Sequence, residues 1–173
     1  ASRGLMEEEL LKSGLSRLTV VIPTISRPEF VKRQILFWSH FDAEVRILDG
    51  AATPIDLSQF VAIPSNIQYL HEPRRFNERL SNAWRHVNTE FACLLPDDEF
   101  FLPSGLTASL KKLDGNPDIT GCVGKVLMFF VDQERFLTYQ DYEYWKDFDP
   151  SSITAEHRVK EVLPPNKVHK VQF

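Results

Sequence analysis

Several features that would assign a chain to a class at once are absent here. Nowhere in its 173 residues does an apolar run approach the roughly 20 residues that span a bilayer. Positive charge is not in excess: 20 Lys and Arg stand against 24 Asp and Glu, a formal net charge of −4. That balance argues against non-specific nucleic-acid binding, which leaves a basic footprint. The two cysteines, Cys93 and Cys122, both sit in apolar runs without paired His spacing. They read as buried free thiols rather than as a disulfide or a metal site. At the start, Glu7, Glu8 and Glu9 follow Met6, not the basic-then-apolar order of a secretory signal. Met6 reads as the natural start, with Ala1 to Leu5 as added residues, and the expected setting is reducing and cytoplasmic. No internal repeat and no low-complexity tract is visible.

What is present is the composition of an ordinary globular domain, 43% hydrophobic and 25% charged, long enough to bury a sizeable core. Leu18 to Ile22 is β-branched and apolar and is closed by Pro23, as a buried strand would be. Ser26-Arg27-Pro28-Glu29 reads as a helix start, with Ser26 as the cap and Glu29 completing a capping box. Val31, Ile35 and Trp38 follow on one face. Val45 to Leu48 is a second strand, ended by the turn pair Asp49-Gly50, and Ile67 to Leu70 is a third. Leu80, Ala83, Trp84 and Val87 give helical spacing over 77–88, with Trp84 expected in the core. A fourth strand covers Phe91 to Leu95. Pro103-Ser104 opens another helix, with Leu106, Leu110 and Leu113 on one face and Asp114-Gly115-Asn116-Pro117 as its stop. Cys122 to Val131 is a further apolar strand region with a bend near Gly124. The alternation predicts an α/β fold, a mostly parallel sheet with helices on both faces.

The acidic run Pro96-Asp97-Asp98-Glu99 closes the fourth strand. Three adjacent carboxylates repel one another, so they need a cation or abundant water nearby. Hard divalent cations take oxygen ligands and keep substrate phosphates in their shell. These residues alone are consistent with a metal–phosphate site and with a solvated acidic turn. Thr24, Asp49 and the acidic run all fall at C-terminal strand ends, where ligands bind in parallel sheets.

Taken in order, these pieces resemble family 2 glycosyltransferases of the GT-A fold. Leu18 to Pro28 is similar to their opening strand with Pro-Thr, a small polar residue and Arg. Val45 to Gly50 resembles their second strand with its terminal Asp, Asn82 matches a recurring Asn, and Leu94 to Glu99 resembles their acidic metal motif. The resemblance covers residues 18–131 as a nucleotide-sugar-binding core. It leaves 1–17 as an N-terminal tail or helix and 132–173 as an aromatic and acidic extension or flap.

The resemblance implies that Pro23, Thr24 and Arg27 line a nucleotide pocket, that Asp49 meets the base, and that Asn82 and Asp97 contribute to it. Asp98 and Glu99, with Asp97, would hold Mg²⁺ or Mn²⁺ on the diphosphate. Arg75, from the cluster Arg74, Arg75 and Arg79, is a further candidate, since Arg suits bidentate phosphate contacts. The implied partners are a nucleotide-diphosphate sugar, with a UDP-sugar favoured, and a glycan or other hydroxyl acceptor, the transfer being inverting. Nucleic acid is not among the expected partners. A homodimer is open, given the aromatics of 136–148.

Two departures stand out. Pro96 occupies the place of the first Asp of an Asp-x-Asp pair, and the chain reads as short at its C-terminus for that family, with Asp132, Asp141 and Glu143 the weak candidates for a general base. The competing readings are a non-catalytic or incomplete donor-binding domain and a sugar nucleotidyltransferase, the latter disfavoured because no Gly-rich phosphate loop follows the first strand. His71, His86 and His157 show no ligand spacing.

Overall fold

The computed structural model describes residues 14–59, 63–124, 127–130 and 135–138. Four strands, β1 (Leu18–Thr24), β2 (Glu44–Asp49), β3 (Ile67–His71) and β4 (Phe91–Leu94), pair in the order β3-β2-β1-β4. All three pairings are parallel. Among the described residues three α-helices accompany them: α1 (Pro28–Trp38), α2 (Phe76–Ala83) and α3 (Pro103–Asp114). The expected α/β class, Rossmann-like with a parallel sheet, is the observed one.

Period-2 alternation along β1 feeds two cores. Val20 and Ile22 pack in one cluster with Val45 and Ile47 of β2, with Val31, Ile35 and Trp38 of α1 and with Leu110 of α3. Val21 and Leu48 point the other way, to Ala83 and Leu80 of α2. Helices therefore cover both faces. Each fully buried Val, Ile or Leu contributes about 1.5–3 kcal/mol, so this double-sided burial is what holds the strand ends in place.

Pro23 does not close the first strand; β1 runs through it to Thr24, with Pro23 opposite Leu48. Leu95 N–H donates to the Val21 carbonyl at 2.9 Å on the β4 side. Alternation turns Pro23 to that same side, past the last paired residue of β4, so its missing N–H costs no ladder bond.

Two helix expectations are corrected. Ser26 is not the cap of α1: Arg27 holds the N-cap position with no side-chain cap bond, and Ser26 takes a left-handed φ of 54°. The α2 helix starts one residue early and stops at Ala83, giving way to a 3₁₀ turn over Trp84–His86. The tighter winding of that turn shifts the face on which each side chain lies. Trp84 consequently stands 69% exposed rather than in the core.

The chain divides into two compact units, residues 1–122 and 123–173. In the second, β5 (Leu127–Phe130) pairs antiparallel with β6 (Arg135–Thr138), Leu127 opposite Thr138. The apolar strand expected over 122–131 is realised in part as β5.

Candidate functional site

In the order β3-β2-β1-β4 the chain builds outward from β1 in one direction and then jumps to its other side. Such a reversal leaves a crevice beyond the C-terminal ends of the two strands that flank it. Thr24 is the last residue of β1, and Asp97 stands just past the end of β4. There the Thr24 hydroxyl donates to Asp97 Oδ2 at 2.6 Å. The guanidinium of Arg27 donates from Nη1 to Asp97 Oδ1 at 2.6 Å and from Nη2 to Asp98 Oδ2 at 3.1 Å. Thr24 and Asp97 are buried, while Asp98 and Glu99 are exposed. Arg27 lies 3.8 Å over the ring of Phe30, a cation–π contact that fixes the guanidinium plane.

The turn carrying these carboxylates is held from below. Fully buried Gln34 donates its amide to the carbonyls of Asp97 at 3.0 Å and Glu99 at 2.7 Å. It also accepts the indole N–H of Trp38 at 3.0 Å. Both amide protons and the amide oxygen are thus used, as a buried polar side chain requires. Phe100 packs on Phe37 with ring centroids 4.8 Å apart. The apolar residues after the acidic run therefore clamp it to α1.

Asp49 sits opposite Thr24 in the ladder and is fully buried. Its carboxylate accepts the Ala51 N–H at 2.9 Å and the Tyr69 hydroxyl at 2.5 Å. Burial and this donation to a carboxylate push the Tyr69 phenol up to about 12. Next to Asp49, the buried guanidinium of Arg79 donates from Nη1 to the carbonyls of Thr24 at 2.9 Å and Leu48 at 2.5 Å. Its Nε has no hydrogen-bond partner among the described residues. A Cβ at Gly50 would fall 2.4 Å from Arg79 Cζ, so only glycine lets the chain pass this close.

The structure brings together Thr24, Arg27, Asp97 and Asp98, with Asp49 beside them on the neighbouring strand. Pro23 is half-buried one residue before Thr24. Arg74 and Arg75 are exposed ahead of α2, and the Arg75 backbone N–H is capped by the Glu78 carboxylate at 3.2 Å. The buried member of that arginine cluster is Arg79. Asn82 lies elsewhere, in a polar cleft of about 330 Å³ with Glu72, Arg74 and His86 among its walls. His71 bonds the Ala51 carbonyl at 2.8 Å, and His86 Nε2 stands 3.8 Å from Glu72 Oε1. Asp132, Asp141, Glu143 and His157 lie outside the described residues.

Gln34, Tyr69 and Arg79 were not singled out by sequence reasoning as site residues in these roles. Gln34 had a signal: it falls on the Val31, Ile35 and Trp38 face, where an amide must find partners. Arg79 had one as well, as a charged residue one position before the apolar Leu80 in a helix that covers the sheet.

One oxygen of Asp97 and one of Asp98 face the Arg27 guanidinium. Among the described residues no three His, Cys, Asp or Glu side chains surround a point that could hold a metal. As arranged, a Mg²⁺ or Mn²⁺ of the kind the resemblance implies would share the acidic turn with the Arg27 guanidinium. No helix among the described residues is long and apolar enough to cross a membrane. No family model and no curated protein sequence matches the chain.

Proposed function

We propose that this chain is a glycosyltransferase domain that binds a nucleotide-diphosphate sugar at the crevice beyond β1 and β4 and passes the sugar to an acceptor hydroxyl with inversion. The observation that carries the reading is the Thr24–Asp97–Arg27 cluster, buried at its base and open at Asp98, at the reversal point of a parallel sheet. A leaving nucleoside diphosphate develops negative charge, and a preorganised cation at that point lowers the barrier. Arg27 supplies one: Asp97 and Phe30 orient it, and a guanidinium has five donors, more than the two carboxylates use. Arg79 adds positive potential behind the Thr24 and Leu48 carbonyls. Asp49 shapes the loop from Gly50 to Ala51 that would meet the base, through its bonds to the Ala51 N–H and to Tyr69. Mg²⁺ or Mn²⁺, if used, would neutralise the diphosphate from Asp98 and Glu99, alongside the Arg27 arm on one Asp98 oxygen.

Calorimetric titration with UDP, GDP and their sugars, with and without Mn²⁺, tests the reading. Saturable binding of a nucleoside diphosphate, weaker for the monophosphate, is expected, followed by transfer or slow hydrolysis of one donor sugar with inverted anomeric configuration. Absence of binding under every condition overturns it. Binding without any turnover reduces the chain to a donor-binding domain.

A further inference from the structure

The two arms of Arg27 are unequal. Its contact with Asp97 is 2.6 Å long and the Asp97 side chain is 5% exposed, whereas the contact with Asp98 is 3.1 Å long and that side chain is 47% exposed. The first arm is a charge-assisted bond shielded from water, the stronger kind, and the second is a solvated one. Behind the guanidinium, the Phe30 ring carries a second cation: Arg33 lies 4.1 Å over it, as Arg27 does at 3.8 Å. Two guanidiniums thus share one aromatic ring beside two adjacent carboxylates. The backbone is bent to allow this, since the left-handed Ser26 directly precedes Arg27. A left-handed φ at a non-glycine residue is unfavourable, and it persists only when surrounding contacts enforce it.

We infer that Arg27 is the resident cation of the acidic turn and keeps divalent cations off Asp97 and Asp98. A divalent ion approaching Asp98 meets like charge from Arg27 and, one ring away, from Arg33. To take the Asp98 oxygen that Arg27 holds it must break the 3.1 Å arm, and at Asp97 both oxygens are already engaged, by Arg27 and by the Thr24 hydroxyl. Anionic ligands of this edge are consequently received by a guanidinium. The inference takes its site from the proposed function but concerns the free chain, so it can be tested without any nucleotide.

The test is Mn²⁺ titration of the whole chain, followed by calorimetry and by the loss of the free-ion paramagnetic resonance signal, in the unmodified protein, Arg27→Gln, Arg27→Lys and Arg33→Gln. Arg27→Gln should bind Mn²⁺ about tenfold or more tighter than the unmodified chain, the scale expected when one close like charge is removed. Arg27→Lys should fall between them, because an ammonium cannot span both carboxylates. Arg33→Gln should show a smaller gain. Equal or weaker Mn²⁺ binding in Arg27→Gln, with circular dichroism showing an intact fold, overturns the inference, as does tight Mn²⁺ binding by the unmodified chain. Failure of UDP and GDP to bind in the separate nucleotide titration would remove the proposed function and leave this result standing.

Discussion

Arg79 lays its guanidinium against Gly50, so close that a Cβ on Gly50 would meet Cζ at 2.4 Å, Nε at 2.6 Å and Nη2 at 2.7 Å. A long side chain can usually swing away from such a clash. This one cannot do so freely, because it is buried and bonded to the carbonyls of Thr24 and Leu48. Those carbonyls belong to the last residue of β1 and the next-to-last of β2, so Arg79 joins the ends of the two strands that carry Thr24 and Asp49.

Gly50→Ala should therefore destabilise the chain by about 1–3 kcal/mol, the usual cost of forcing an extra carbon into a packed site. Urea unfolding measures it. An unchanged midpoint would mean that Arg79 repacks without loss.

Thr24→Val keeps the β-branched shape and removes the hydroxyl that Asp97 Oδ2 accepts. A hydrogen bond to a charged group contributes about 1.5–3 kcal/mol, and the loss should appear in urea unfolding at neutral pH. Thr24→Ser should retain most of the stability, because it keeps the donor.

Gln34→Leu preserves bulk and apolarity on the α1 face but strands the Asp97 and Glu99 carbonyls and the Trp38 indole N–H. Each buried group left unpaired costs about 1–3 kcal/mol. A loosened acidic turn should also raise amide hydrogen exchange over 97–100 before global unfolding. If exchange there stays as slow as in the unmodified chain, other contacts suffice to hold the turn.

Tyr69→Phe removes the donor to buried Asp49 and the acceptor of the Ile55 N–H, which lies 2.9 Å from the phenol oxygen. At neutral pH the cost should be about 1–3 kcal/mol. The pH dependence has a definite sign. The phenol's ordinary value of 10 rises to about 12 in the folded chain, so between these values the unfolded chain loses its proton first. The contribution is fully present below pH 10 and is lost as pH climbs toward 12. Burial pushes the Cys93 thiol up from 9 to about 12, which adds a loss in the same direction. Tyr69→Phe should accordingly lose stability less steeply across this window than the unmodified chain, and Cys93→Ala less steeply from pH 9. Parallel denaturation curves at pH 8 and pH 11 decide it.

Much of the fold was legible in the sequence because the strands and helices advertise their periods. The Leu18 to Ile22 run appears as expected because a strand buried on both faces is apolar almost throughout. The Val31, Ile35 and Trp38 face and the Leu106 and Leu110 pair appear because burial on one side of a helix leaves a repeat of about 3.6 residues. The elements drifted where local geometry overrides that repeat. Trp84 continues a helical face in sequence but falls in a 3₁₀ turn, and it points to solvent. Ser26 has the chemistry of a cap, yet its left-handed backbone passes the cap position to Arg27, whose side chain is engaged elsewhere.

The order of residues by itself determined that a parallel α/β sheet forms and that Thr24, Asp49 and Asp97 lie at its C-terminal edge, because strand direction and burial are local properties of short segments. Only the tertiary structure decided what those residues touch. Asp97 is 73 residues from Thr24 and 70 from Arg27, and no periodicity reports on contacts over such separations. Folding brought the acidic turn not to an open cluster of carboxylates but to a guanidinium already in place, since the sheet order sets the ends of β1 and β4 side by side and the bend at Ser26 precedes Arg27 there.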